Sequence, residues 1–321
     1  MKTDSLKKIL IPAALGAGAF ALAQAGIYAN VFYSPLGKQS DDYHILGYLT
    51  QEQHDRTVAL VDRLRARPYE PVSILSHDGL RLCGRYCHQA EGAHLVILCH
   101  GYRGTPVRDF CGGADICFSE GFNVLLIEHR AHGSSEGHTI SYGINESRDV
   151  LAWTEYAVGR FGDGVKILLA GISMGAATVL MASGLDLPPN VKGIIADCPY
   201  SSPSAIIKKV TATDMHIPVR AAYPFVRLAA RLYGNFSLDD GGAIEAVRRT
   251  PVPILLIHGE ADTFVPTEMS REIAAANPGM IELHTFPGAG HGTSFVVDRE
   301  RYVRLVTDFT ARVLPGFRTE S

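Results

Sequence analysis

Positive charge is not in excess in this sequence. Lys and Arg number 30 against 33 Asp and Glu, a net charge of -3 over 321 residues. That excludes the basic footprint of a nucleic-acid binder. Cysteine is sparse, at six residues, and no C-x-x-C or Cys/His cluster suggests a metal. Cys83 and Cys87 fall on one expected strand, about 13 Å apart at roughly 3.3 Å per residue, which is beyond disulfide reach. Cys111 and Cys117 share one expected helix and are also too far apart. The thiols are therefore read as free and buried. Internal repeats and low-complexity tracts are missing too. The 46% hydrophobic and 20% charged residues suit one large core with a short appendage. No cofactor is expected.

Charge is absent from one long stretch, between Lys8 and Lys38. Its centre, Ile9 to Ala29, is rich in Ala, Leu, Ile and Gly, and about 20 residues suffice to cross a bilayer. With Lys2, Lys7 and Lys8 ahead of it, the segment reads as a membrane anchor, lysines inside and the remaining chain outside the cytoplasm. The competing reading is a signal peptide cut at Ala21-Leu22-Ala23, an A-x-A site, which would release a secreted protein. A buried soluble helix is the third, opposed by the lack of an amphipathic period. Residues 1–33 are thus expected to direct export, although the missing disulfides sit awkwardly with an oxidising exterior. Residues 34–70 read as a linker. Its helix opens at Thr50, with Gln53 at capping-box spacing, and stops before Pro68.

From Pro71 the pattern changes. Val72–Ser76 and Leu80–Cys87 read as strands around a His77-Asp78-Gly79 turn. Apolar runs at His94–Cys99, Asn123–Ile127, Lys166–Ala170, Gly193–Ala196, Ile254–Ile257 and Ile281–Thr285 then alternate with helical stretches. Continuous Val/Ile/Leu runs suit strands of a parallel sheet buried on both faces. About eight strands result, in an α/β domain over 71–315 with a tail at 316–321. Alternation lapses over about 199–250, read as a small helical cap. In open α/β sheets ligands sit at the carboxyl ends of strands, so the residues after each run matter most.

G-x-S-x-G is short enough to recur by chance, and it occurs twice here. Gly171-Ile172-Ser173-Met174-Gly175 follows directly on a strand and leads into the helix-forming Ala176 to Leu180. That strand-turn-helix junction is a nucleophile elbow. Gly133-Ser134-Ser135-Glu136-Gly137 lies in a polar loop well past its strand, so Ser173 and not Ser135 is the candidate nucleophile. A serine hydroxyl needs an adjacent base. With such an elbow the acid follows the serine in the chain and the histidine follows the acid. His291, in a glycine-rich loop after the last strand, is the candidate base, whereas His258 precedes the acid. Asp262, after the penultimate strand, is the candidate acid; Glu260 and Asp197 are alternatives. The backbone N–H groups of Met174 and Tyr102 are the candidate oxyanion donors.

Together these residues resemble the α/β-hydrolase superfamily. Within it, the chain is similar to the serine-aminopeptidase-like branch, which includes many membrane-anchored bacterial hydrolases. The resemblance covers about Val72 to Val313. It rests on His100-Gly101, the Ser173 elbow, His258-Gly259-Glu260-Ala261-Asp262-Thr263-Phe264-Val265-Pro266, and the closing Gly290-His291. Where that branch carries D-x-R-G-H-G-x-S, this chain has Glu128-His129-Arg130-Ala131-His132-Gly133-Ser134-Ser135, with the first Asp and first Gly replaced. The resemblance implies hydrolysis of a small-molecule carboxylic ester or related acyl bond through an acyl-enzyme. Peptidase or amidase action with the same residues is the alternative. A non-catalytic anchored binding module is the reading from another class. Dehalogenation would want Asp where Ser173 stands.

Overall fold

The computed structural model describes residues 2–35 and 50–315, with side chains of the first helix described at Gly16 and from Gly18 onward. The side chains of Lys2, Lys7 and Lys8, the expected linker before Thr50 and the expected tail at 316–321 lie outside the described part.

Eight strands form one sheet: β1 (Glu70–Leu75), β2 (Arg81–Cys87), β3 (Leu95–Cys99), β4 (Asn123–Ile127), β5 (Ile167–Ile172), β6 (Val191–Asp197), β7 (Ile254–Gly259) and β8 (Ile281–Phe286). Their order is β1-β2-β4-β3-β5-β6-β7-β8. The β1–β2 hairpin and the β2–β4 pair are antiparallel. From β4 to β8 all pairs are parallel. The chain moves outward from β3 to β4, then crosses back to β5 on the other side of β3. That reversal opens a crevice above the ends of β3 and β5.

The helices are α1 (Lys2–Val31), α2 (Gln51–Ala66), α3 (Pro106–Ser119), α4 (Glu146–Phe161), α5 (Met174–Ala182), α6 (Pro203–Lys209), α7 (Val219–Gly234), α8 (Ala243–Val247), α9 (Thr267–Ala276), α10 (Ser294–Val297) and α11 (Arg299–Val313). Successive strand residues face opposite sides. Ile97, Leu125 and Leu169 enter one core with α4, α5, α8 and α9. Val96, Leu98, Leu126 and Leu168 enter the other with α2, α3 and α11. Both faces are dry, which is why the strands read as unbroken apolar runs. Expected strand ends differ from observed ones by at most two residues. Helix α2 begins at the expected box: Gln53 N–H donates to Thr50 Oγ1 and Thr50 N–H to Gln53 Oε1.

The expected cap divides in two. Helix α8 packs into the sheet core through Ala243 and Val247. Helices α6 and α7 belong to a third cluster above the sheet ends, and α1 joins them. Phe32, just past α1, is fully buried and sits edge-on to Tyr142 and Phe236, with ring centroids 5.9 and 5.3 Å away. Tyr28 Oη bonds Thr139 Oγ1 at 2.6 Å, and Tyr233 Oη donates to the Ala21 carbonyl at 3.0 Å. Among the described residues no helix is long and apolar enough to cross a membrane. The membrane-anchor expectation therefore gains no support. The end of α1 and Phe32 pack against α7 and the segment around Thr139.

Arg130 ties the hairpin to the body. Its guanidinium donates to Asp149 Oδ1 and Oδ2 at 2.7 Å each and to Asp78 at 2.8 and 3.1 Å. Arg130 and Asp149 are almost wholly buried. Removing one partner of such a pair leaves an uncompensated buried charge. Arg130→Met is expected to lower stability by about 3–5 kcal/mol, read as a fall in the urea midpoint. The Arg130→Met/Asp149→Leu pair is expected to recover most of the loss.

Candidate active site

Ser173 sits between β5 and α5 with φ 54° and ψ -116°, a strained conformation worth about 1–3 kcal/mol. The flanking glycines allow that turn to pack. A Cβ on Gly171 would lie 2.3 Å from the Gly175 carbonyl oxygen, and one on Gly175 would lie 1.8 Å from that of Cys99. Ser173 N–H donates to the Asp197 carbonyl at 2.8 Å. The elbow is thus held from both neighbouring strands.

Three distant segments converge on this hydroxyl. Ser173 Oγ–H donates to His291 Nε2 at 2.8 Å. His291 Nδ1–H donates to Asp262 Oδ2 at 2.7 Å. The Asp262 carboxylate also accepts the N–H groups of Phe264 at 2.9 Å and Val265 at 2.8 Å. Burial alone would raise its pKa, but hydrogen bonding to His258 and His291 and to the Val265 amide wins and holds it well below the usual carboxylate range. The group therefore stays ionised at working pH. In this arrangement Asp262 fixes the ring tautomer, and His291 can take the serine proton.

Among the described residues, the backbone amides of Met174 and Tyr102 have no acceptor. Met174 opens α5, where the first N–H groups have no partner within the helix. Around Tyr102 the other amides are engaged. Gly101 N–H donates to Asp109 Oδ2 at 2.9 Å, Arg103 N–H to His132 Nε2 at 3.0 Å, and Gly104 N–H to the Gly101 carbonyl at 3.0 Å.

The His-rich loop after β4 props up this turn. His132 accepts from Arg103 on Nε2, so its proton is on Nδ1, 2.9 Å from the Arg130 carbonyl. His100 works the same way: Nε2 accepts from His129 N–H at 3.1 Å, and Nδ1 faces the Gly101 carbonyl at 2.9 Å. Both rings must be neutral for this, and burial pushes both down, His132 to about 3. Ala131, which replaces the usual glycine, adopts φ 63° and is fully buried. Ser135, the serine of the second G-x-S-x-G, is buried. It donates to the Glu128 carbonyl at 2.6 Å and accepts from Cys83 N–H at 2.8 Å, so it is a brace.

The alternative acids are elsewhere. Glu260 is exposed and accepts from Thr285 Oγ1. Asp197 lines the site, but no described atom pairs with its Oδ1. His258 was not expected to matter, yet its Nε2 lies 3.3 Å from Asp262 Oδ2 while Nδ1 bonds Ser270 Oγ at 2.7 Å. Cys198, Asp262 and His291 bring three potential ligand atoms within 4.8 Å of one another. Burial and the neighbouring Asp197 and Asp262 charges push the Cys198 thiol well up. A protonated thiol is a poor metal ligand.

Asp197 carries a pH signature. Burial pushes its carboxyl up to about 6, against the pull of His258. The native state therefore holds this proton more tightly than the unfolded chain does. The associated stability is fully present below about pH 4 and is lost as pH rises through about 6. Asp197→Asn is expected to raise stability above pH 7 by on the order of 1–3 kcal/mol, seen as a higher melting temperature, and to leave it nearly unchanged at pH 4. Thermal melts across pH check this.

A strained serine at a strand-to-helix turn, reached by a histidine from beyond β8, is a recurrent arrangement. The model of the alpha/beta hydrolase family matches residues 96–305. The chain belongs to that family. A Bacillus subtilis protein of no assigned function, YqkD, is 24% identical over 304 residues, covering 95% of this chain and 97% of its own. Esterase LipC of Mycobacterium tuberculosis is 27% identical over 192 residues, 54% of this chain and 46% of its own. Among solved structures, an esterase of Pyrococcus furiosus superposes with a TM-score of 0.65 at 22% identity, over 86% of this chain and 99% of its own. That last likeness concerns the fold alone.

Proposed function

We propose that this protein is a serine esterase acting on a small-molecule carboxylic ester through an acyl-enzyme. The observation that carries the proposal is His291, hydrogen-bonded at once to Ser173 and Asp262. Ser173 Oγ attacks the ester carbonyl as His291 Nε2 takes its proton. The oxyanion forms against the amides of Tyr102 and Met174, each such donor typically supplying about 3 kcal/mol. His291 returns the proton to the departing alcohol, and a water repeats the sequence to free the acid. LipC, which shares part of this sequence, is itself named an esterase, in line with an ester as substrate.

A fluorophosphonate probe tests the nucleophile. The wild type should label and Ser173→Ala should not. Equal labelling of both proteins, or none of either, overturns the mechanism. Parallel assays on p-nitrophenyl esters and aminoacyl anilides should give turnover on the esters.

A further inference from the structure

A cavity of about 460 Å³ runs from Ser173 and His291 into the body of the protein. Its course follows the strands. Beside the serine it is walled by Ile172 and Asp197, a paired row at the ends of β5 and β6. One step deeper come Leu98, Ala170 and Ile195, then Val96 and Leu168. All these side chains lie on the α3/α11 face of the sheet. The opposite wall is α3 and α11, with Phe110, Gly113 and Val306 among its residues. None of the described cap residues, 199–250, lines it.

The wall on α3 is built to leave room. The helix departs from helical geometry at Phe110, with φ -116° and ψ 17°, and carries Gly112 and Gly113 after the intervening Cys111. A Cβ on Gly112 would lie 2.4 Å from the Phe295 ring. Two adjacent glycines inside a helix are unfavourable by about 1 kcal/mol each relative to Ala. Here they let Phe295 lie flat on the helix and keep α3 clear of the space between it and β5.

We propose that this cavity is an acyl-chain channel, and that the substrates are esters of unbranched medium-length fatty acids. The proposal rests on Ser173 being the nucleophile. Two observations support it. Beyond Ser173 and His291 the lining is predominantly aliphatic or aromatic, with Thr57, Arg108, Asp109, Glu120, Asp197 and Thr310 as its polar exceptions, so a chain without polar groups meets mostly apolar surface. The depth from Ser173 to Leu168 is five residues of strand, about 16 Å. An extended chain advances about 1.25 Å per bond at a C–C length of roughly 1.52 Å, so about twelve to thirteen carbons fill that depth. The acyl chain then points down between sheet and helices while the alcohol leaves towards α7. Chain-length selection is set by the sheet and not by the cap.

The test is a series of p-nitrophenyl esters from acetyl to hexadecanoyl, at concentrations where each is monomeric. For the wild type kcat/KM should rise by up to about fourfold per methylene, level off near dodecanoyl, and fall beyond. Leu168→Phe fills the deep end. It should reduce the decanoyl rate by about tenfold or more and leave the acetyl rate within about twofold. Should Leu168→Phe lose every activity, Gly113→Leu, which narrows the channel from the opposite wall, must show the same selective loss. A wild type that prefers acetyl, or two narrowing variants that weaken all chain lengths equally, overturns the channel while leaving the serine mechanism standing. No turnover at any length, with no fluorophosphonate label, removes the serine reading itself.

Discussion

Ser173→Ala, His291→Ala and the double variant are expected to give three nearly equal rates, each about 10⁶-fold below the wild-type kcat. The losses should not multiply. The single proton on Ser173 Oγ has one described acceptor, His291 Nε2 at 2.8 Å. Once either member is gone, the other has nothing to act on. Asp262→Ala should be milder, about 10⁴-fold, because the imidazole stays within reach but loses its orienting partner. That variant also frees the amides of Phe264 and Val265, so Asp262→Asn is the cleaner comparison for stability. The check is steady-state kinetics on one ester together with a melting curve for each variant. A double variant slower than either single by a further large factor would mean that serine and histidine act on separate steps.

Deleting residues 2–34 should also be severe. The end of α1 holds the loop that carries the Tyr102 amide. Tyr102 Oη donates to the Val31 carbonyl at 2.9 Å, and Arg103 Nη2 donates to the carbonyls of Asn30 at 3.1 Å and Tyr33 at 2.9 Å. The deletion also strips Phe32 from its aromatic pocket. A kcat loss of about 100-fold is expected, the effect of misplacing one oxyanion donor, together with a lower melting temperature. Because the effect falls on the developing negative charge, kcat should fall much more than KM rises. Tyr102→Phe removes one of these bonds and should cost only about 1 kcal/mol, several-fold in rate. A deletion variant with wild-type kcat would show that the contact is ornamental.

Ser173, Asp262 and His291 were legible because each signal is local. A strained turn needs glycines beside the serine, and glycine-rich or acidic loops directly follow apolar runs. His258 was underrated because its contact with Asp262 depends on the chain doubling back between residues 262 and 265, where amides also reach the carboxylate. The packing of the N-terminal segment was not legible for a plainer reason. An uncharged Ala/Leu/Gly run has the same composition whether it faces lipid or another helix. Its partners, Thr139, Phe225 and Tyr233, lie more than a hundred residues away. The cavity left no trace either. Val96 and Leu168 look like any core residues, and Gly112-Gly113 gives no hint of what it leaves empty. Even the alternation lapse at 199–250 mixed a body helix, α8, with true cap helices, since apolar spacing does not say which neighbour a helix meets.

The position of α1 has a consequence for synthesis. It is made well before its partners: Tyr233 is 212 residues downstream of the Ala21 carbonyl it binds. At about 5–20 residues per second, roughly 10–40 s pass before that partner exists. During this interval the uncharged helix is expected to stay bare, open to chaperones, export factors and lipid alike. The oxyanion loop can settle only after α1 docks, and His291 is made later still. The groups around Ser173 are therefore expected to come together only once the whole span from Ala21 to His291 has been made.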